Sequence, residues 1–387
     1  MDNRPIRILH VIGSMDLGGA ETLIMNLYRH IDRSNVQFDF VENTMRTAAF
    51  DPEIRSLGGR IYNCPHYNGK NHFVYVRWWD RFFKEHAAEY SAVHGHLGST
   101  AAIYLRAAKK YGLYTIAHSH NTKGVGFGDL IYRAYAFPTR FIADRFFACS
   151  RAAGIDRYGK KVGADPARCV VLHNSIDTKH FAYDPQLRAE TRAKLNVSDE
   201  EILIGHIGRF VPQKNHKFLI DIFSEVYKTH ENTKLLLLGK EDEAQVIRRK
   251  VEMLGLTDRV IFSGVQSDTS PYYQAMDVFV LPSIYEGFGI VNLEAQCSGL
   301  PCVISDKVAS DCVLAEDLVT ICSLSAGTDR WAECIISLIG TERKDHSAVI
   351  AQKGFDIIRT AGWLEDVYCS MVERNEFGTP VNHYADL

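Results

Sequence analysis

No stretch of this chain is apolar for long enough to span a bilayer, so contact with a membrane is expected only at the membrane's surface. The nine cysteines are scattered, with no CxxC pair and no evenly spaced framework. That excludes a disulfide scaffold and a cysteine-based zinc site, and it reads as reduced thiols in a cytoplasmic protein. Neither sign of charge dominates: 44 Lys and Arg stand against 47 Asp and Glu, a formal net charge of −3. Such a balance gives no support to nucleic-acid binding. The opening MDNRPIRILHVIGS lacks the long apolar core of a signal peptide and enters a strand-like segment directly. There is no internal repeat and no low-complexity tract. What is present is 46% apolar and 24% charged residues over 387 positions, the composition of a globular enzyme with two domains of roughly 150–200 residues each.

Short apolar runs alternate with helical periodicity from end to end, which predicts α/β domains with parallel sheets. Arg7–Ile12, Phe38–Val41, Ala92–His94, Thr115–Ala117, Arg145–Ala148 and Val170–Leu172 read as strands of a first sheet. Ile202–Ile207, Lys234–Leu238, Val260–Phe262, Val278–Leu281, Pro301–Ile304 and Val319–Ile321 read as strands of a second. The polar stretch Asn174–Asp199 between them reads as a linker. Two Rossmann-like domains facing a central cleft is the economical architecture, with ligands expected at the carboxyl ends of the strands. The boundaries place residues 1–180 in the first domain and 181–361 in the second. A last helix, about 362–387, carries Leu364, Val367, Tyr368 and Met371 at helical spacing.

Three loops carry the chemistry. Gly13–Gly19 follows a strand and opens a helix, and its paired glycines, Gly18 and Gly19, let backbone come close to a ligand at a helix N-terminus. It is neither GxGxxG nor a P-loop, and a tight turn that binds nothing is the plain alternative. The loop Gly208-Arg209-Phe-Val-Pro-Gln-Lys214 sets two cations near a strand end, where they would stabilise a departing diphosphate; two solvated surface charges are the alternative. In Pro282–Pro301, Glu286 and Glu294 stand eight residues apart around Gly287-Phe288-Gly289. That pattern offers a phosphate an open helix start, with one carboxylate for a ribose diol and the other for a sugar. Exposed helix-end glutamates are the alternative.

These motifs resemble those of the retaining GT-B glycosyltransferases of family four, the glycosyl transferases group 1, of polysaccharide-biosynthesis type. The resemblance covers nearly the whole chain. It rests on Gly18-Gly19-Ala-Glu21, His118-Ser-His120-Asn, His173-Asn174-Ser-Ile-Asp177, Gly208-Arg209 with Lys214, Leu238-Gly239, Phe262-Ser-Gly264, Asp277–Ser283 and Glu286-x7-Glu294. It implies a nucleotide-diphosphate sugar as donor, most commonly a UDP-sugar, and a hydroxyl acceptor on a glycan or lipid-linked glycan. Neither a cofactor nor a metal is implied. Gly18 and Gly19 would lie near the donor phosphate, Arg209 and Lys214 would hold the diphosphate, and Glu294 the ribose. Glu286 would face the sugar, with backbone N–H groups of Phe288, Gly289, Ile290 and Val291 nearby. His120 would approach the donor sugar, with His118 its rival for that place, and Asn174 would lie near sugar or acceptor. The resemblance also folds the last helix back onto the first domain. The segment after Gly239 lacks the family's second glycine and runs Lys-Glu-Asp-Glu, which leaves base recognition open.

The paired histidines His94-Gly-His96 and His118-Ser-His120 sit at strand ends, where side chains two apart point the same way. Converging imidazoles would suggest zinc, yet there is no HExxH, no accompanying carboxylate and no Asp-x-Asp, so no catalytic metal is expected. His94 is expected to hydrogen-bond loop backbone. Val74–Lys84 mixes aromatic and basic residues at helical spacing. It reads either as a helix with Trp79, Phe82 and Phe83 packed inward or as a peripheral contact with anionic lipid at the inner face of the cell membrane. Three rivals to a transferase remain: a nucleotide-sugar epimerase of the same fold, a non-catalytic nucleotide-sugar binding module, and an oxidoreductase that the missing GxGxxG disfavours.

Overall fold

The computed structural model describes residues 4–16, 18–120, 134–240, 244–286 and 288–373. Two compact units emerge: Met1–Ser175 with Gly354–Leu387, and Ile176–Lys353.

In the first unit the strands are β1 Ile6–Ile12, β2 Val36–Glu42, β3 Ile61–Asn63, β4 Ala92–Gly95, β5 Tyr114–Ser119, β6 Arg145–Ala148 and β7 Cys169–Val171. They form one sheet in the order β3-β2-β1-β4-β5-β6-β7, each pair parallel. Apolar clusters lie on both faces, which is why its strands read as nearly continuous apolar runs. Asp39, buried in β2, is the telling exception. Its carboxylate accepts from Arg7 Nη2 at 2.6 Å, Arg60 Nε at 2.9 Å and Tyr90 Oη at 3.0 Å, and the two guanidinium groups hold its pKa below the usual carboxylate range against the opposing effect of burial.

The second unit contains β8 Ile202–Ile207, β9 Thr233–Leu238, β10 Val260–Phe262, β11 Val278–Leu281, β12 Cys302–Ser305 and β13 Val319–Cys322. They pair in parallel in the order β10-β9-β8-β11-β12-β13. In both sheets the chain direction of winding reverses beside the first strand, at β1/β4 and at β8/β11. These topological switch points open crevices at the carboxyl ends of the strands, and loops there are the natural place for a ligand.

Three features differ from the sequence reading. The edge strand β3 is three residues long and gave no pattern. The stretch read as a linker contains the helix Pro185–Lys194, capped by Asp184, whose side chain accepts from Gln186 N and Leu187 N. Its outward polarity is misleading, because Arg188 and Arg192 turn inward and grip Asp277 at the start of β11. The chain passes between units at Ser175 rather than 180 and returns at Gly354 rather than 362. Gly354, with φ +83°, kinks the chain at that return, a conformation costly for any residue with a Cβ.

After the kink the helix Ile357–Glu373 lays Ile357, Ala361, Leu364 and Tyr368 into the core of the first unit. That spacing of four, three and four is one helix face, and each large side chain buried contributes roughly 1.5–3 kcal/mol. The expected continuation to 387 lies outside the described residues. In the helix His72–His86, Tyr75, Trp79, Phe82 and Phe83 are buried, while Arg77, Arg81 and Lys84 face water. No helix among the described residues is long and apolar enough to cross a membrane.

Candidate functional site

At the second unit's switch point the loops after β8 and β11 are laced together. Ile284 N donates to Gln213 O at 2.8 Å, Gln213 Nε2 to Tyr285 O at 3.0 Å, and Asn215 Nδ2 to Pro282 O at 3.2 Å. Asn215 stands at φ +59°, in the left-handed region that asparagine tolerates better than most residues, and its helix His216–Thr229 starts there. Lys214 crosses so close to Gly208 that a Cβ there would meet its alkyl chain at 3.2 Å. The ammonium group then reaches Glu286 at 2.6 Å, and Ser283 Oγ donates to the same carboxylate oxygen at 2.8 Å. Arg209, one residue past Gly208, is exposed. Lys214 and Glu286 are therefore engaged with each other, and Arg209 shares only the loop after β8 with Lys214.

Behind them Gly289, at φ +69°, caps the helix Ile290–Cys297, and Phe288 is buried beneath the turn. Ile290 and Val291 stay partly exposed in the first turn, where N–H groups lack intrahelical partners. Gly287, expected to help open this turn, lies outside the described residues. Glu294 is almost wholly buried one turn on, and its Oε2 accepts from Tyr273 Oη at 2.7 Å. Burial pushes its pKa up to about 7, with the Tyr273 hydrogen bond opposing the shift. A carboxyl group so placed is a buried acceptor poised between two protonation states. No local pattern points to Tyr273, 21 positions away on another helix.

In the first unit Gly18 caps the helix Gly19–His30 in extended backbone. A Cβ on Gly18 would strike the Glu21 carboxylate, whereas a Cβ on Gly19 would meet nothing within 4 Å. The protein's own packing therefore does not require glycine at 19. Asn174, just past β7, has a buried Oδ1 with no partner among the described residues.

The histidines form a contiguous cluster in the first unit. They line the ends of β1, β4 and β5, which the sheet register brings side by side. His94 Nε2 lies 3.2 Å from His118 Nδ1, His96 Nδ1 lies 2.7 Å from His120 Nε2, and His10 Nδ1 lies 2.9 Å from His96 Nε2. His94 does not bond loop backbone as expected. Its Nδ1 meets the Tyr368 hydroxyl at 2.6 Å, because the last helix covers this end of the sheet. Burial, more than mutual repulsion, drives the pKa values of His94, His96 and His118 well below the usual value, His10 to about 3 and His120 to about 4. All five are thus neutral at physiological pH. Two groups of three, His10/His94/His96 and His96/His118/His120, have ring nitrogens within 4.8 Å of one another. Their closest separations, 2.7 and 2.9 Å, are hydrogen-bond lengths. His10 went unread because it sits inside an apolar strand run with no second histidine near it in sequence.

With this geometry in hand, the similarities to known proteins take on meaning. The model of the glycosyl transferases group 1 matches residues 188–353, and that of glycosyltransferase family 4 matches residues 17–180. A relative from Bacillus subtilis (strain 168), the putative glycosyltransferase EpsF, is 34% identical over 386 residues, covering 97% of this chain and 99% of its own. An Escherichia coli relative, UDP-Gal:alpha-D-GlcNAc-diphosphoundecaprenol alpha-1,3-galactosyltransferase, is 23% identical over 306 residues, 73% of this chain and 76% of its own. Among solved structures, Anabaena HepE in complex with UDP superposes with a TM-score of 0.76 at 18% identity, covering 94% of this chain and 100% of that one. Two doubly wound sheets, a cation-and-carboxylate crevice at the switch point of the second, and a relative matched along its full length make this chain a GT-B glycosyltransferase of the glycosyl transferases group 1.

Proposed function

We propose that the enzyme transfers a hexose from a UDP-sugar, with retention at the anomeric carbon and without a metal, onto a hydroxyl of a lipid-linked glycan during polysaccharide synthesis. The observation that carries this reading is the contact of Lys214 with Glu286 between the loops after β8 and β11, beside the start of the helix Ile290–Cys297, with the exposed Arg209 in the first of those loops. The α- and β-phosphates sit at the helix start, whose N–H groups and dipole favour anions. As the glycosidic bond breaks, negative charge grows on the β-phosphate, and Lys214 and Arg209 stabilise that state more than the ground state. Lys214 releases Glu286 as it turns to phosphate, and Glu286 then faces the sugar. Glu294 accepts from the ribose hydroxyls. Within the first unit, Gly19, open to space, offers the first helix's backbone to a ligand. His120, with His118 beside it, and Asn174 are that unit's polar groups for a sugar or acceptor hydroxyl. The departing phosphate oxygen takes the acceptor's proton, so no protein nucleophile is needed.

The choice of UDP draws support from the fold neighbours determined with UDP, with UDP and glucose, and with UDP-glucose, and from the UDP-Gal donor in the printed name of the Escherichia coli relative. The lipid-linked acceptor draws on that same name. The test is a thermal-shift panel of UDP-, GDP- and ADP-sugars, because a ligand that binds only the folded protein raises its melting temperature. A response confined to UDP and its sugars is the expected outcome. No response to any nucleotide, or isomerisation of the donor with no acceptor present, overturns the reading, the latter in favour of an epimerase.

A further inference from the structure

The two carboxyl oxygens of Glu294 have different surroundings. Oε2 accepts from Tyr273 Oη at 2.7 Å. Oε1 has no partner among the described residues and stays in reach of solvent, although the residue as a whole is only 9% exposed. One oxygen is held inside and the other is open. Tyr273 is fully buried, in ring contact with Phe181 at 5.9 Å and Phe279 at 5.7 Å. Burial, and after it the neighbouring carboxylate, drive its pKa well above the ordinary value, so the phenol keeps its proton and donates. With Oε2 taken, the ionised carboxylate accepts from outside at Oε1. When the group is protonated the phenol still occupies Oε2, so the acid proton sits on Oε1 and that oxygen becomes a donor.

The two helices that bring these groups together are tied to each other. Arg343 Nη1 donates to Tyr273 O at 3.0 Å, Gln274 O at 2.8 Å and Met276 O at 3.1 Å, and its Nη2 donates to Ser298 O. One guanidinium thus joins the carboxyl end of the helix Ser270–Ala275, which carries Tyr273, to that of the helix Ile290–Cys297, which carries Glu294. Carbonyls at helix ends lack intrahelical partners and favour a cation. The other titratable groups acting on Glu294 are Asp268, just before the first of these helices, and His180, and their effects oppose each other. They are paired, His180 Nε2 lying 2.8 Å from Asp268 Oδ1.

We infer that Tyr273 is a positioning residue: by occupying Oε2 of Glu294 it leaves Oε1 as the acceptor for the vicinal hydroxyls of the nucleotide's ribose, and so sets a preference for ribose over deoxyribose. The bond between the two side chains is independent of any ligand, and its use toward ribose rests on the proposed function. Without the phenol either oxygen can accept, the carboxyl can turn about its last bond, and the group loses a hydrogen bond that favours its ionised form.

The deciding experiment compares the native chain with Y273F in two arms. The first contains no nucleotide. It follows the side-chain carboxyl carbons of labelled glutamate by NMR, with the Glu294 signal assigned by its loss in E294Q. The native signal should titrate with a midpoint of about 7, and in Y273F the midpoint should rise by about one pH unit. A midpoint that does not rise overturns the inference. If Y273F fails to fold, labelled tyrosine decides in the native chain. One Cζ signal should titrate together with Glu294 and stand still in E294Q, and the lack of such a signal overturns the inference. The second arm measures binding of UDP and of 2′-deoxy-UDP by calorimetry at about pH 9, where the carboxyl is ionised in both chains. The native chain should hold UDP about tenfold more tightly than the deoxy form, and Y273F should narrow that ratio to below about threefold. A packing role would weaken both ligands equally, so an unchanged ratio overturns the inference. So does a native chain that binds both nucleotides alike. No binding of UDP at all refutes the proposed donor, while the ligand-free titration still decides whether Tyr273 holds Glu294, so the two failures are separate results.

Discussion

Glu294 shows how one buried carboxyl links sequence pattern to measurable chemistry. Its pKa is raised to about 7, so near neutral pH it is divided between an acid, which donates once, and a carboxylate, which only accepts. A ribose diol needs the acceptor. Binding of UDP should therefore strengthen as pH rises through about 7 and level off beyond about 8, read by titration calorimetry. E294Q should remove the step, and E294A should weaken UDP binding by about tenfold or more through loss of a charge-assisted hydrogen bond. The cations should behave differently. R209A and K214A are each expected to lower kcat by about 100-fold, with a smaller change in donor KM, because their charge matters most as the diphosphate departs. K214A leaves Glu286 without its partner, so melting curves must accompany the kinetics. Unchanged turnover in both variants would contradict the assigned roles.

Elements impose constraints that residues alone do not show. The end of β2 buries Glu42 completely beside Asp51, the first residue of the helix Asp51–Ser56, and burial together with that neighbouring carboxyl pushes Glu42 up to about 8 from an ordinary 4.5. An acid whose folded pKa lies above its unfolded value stabilises the fold fully at pH below the unfolded value. That contribution fades as pH rises through the folded one. The first unit should therefore lose stability between about pH 5 and pH 8, on the order of 3–4 kcal/mol at most, and E42Q should flatten the dependence of melting temperature on pH over that window. In the second unit the helix Pro185–Lys194 is fastened by Arg192, whose guanidinium donates to Ala275 O at 2.9 Å, Ser198 O at 2.5 Å and Asp277 at 3.1 Å. R192M removes these donors and leaves buried carbonyls unpaired, so a loss of about 2–4 kcal/mol is expected in urea unfolding followed by circular dichroism.

At the scale of the whole molecule, a peripheral role at an anionic membrane would draw on the exposed Phe73 and Val74 and on Arg77, Arg81 and Lys84 of the helix His72–His86, since Tyr75, Trp79, Phe82 and Phe83 are in the core. Co-sedimentation with anionic vesicles at low salt, lost at high salt and in F73E/V74E, is the expected outcome; no binding at low salt removes the idea. The fold was legible because both sheets are parallel and buried on both faces, so their strands announced themselves as apolar runs. The edge strand β3 and the helix Pro185–Lys194 did not, the first being too short for a pattern and the second having its inward face made of arginines. Lys214 and Glu286, which meet in the second unit, were legible as candidates from local order: each lies in a loop-to-helix segment after a strand, as do Gly208, Arg209 and Glu294. Backbone periodicity and turn chemistry act over a few residues, so the α/β plan, the glycine-edged helix starts and the positions of the cations and carboxylates along the chain could be read from local order. Folding was needed to show that Lys214 holds Glu286, that Tyr273 meets Glu294, and that Tyr368 contacts His94, which in turn contacts His118. Those partners lie 72, 21 and 274 positions apart for the three direct contacts from Lys214, Tyr273 and Tyr368, and sheet register and helix docking, which no local pattern encodes, bring them within hydrogen-bond reach.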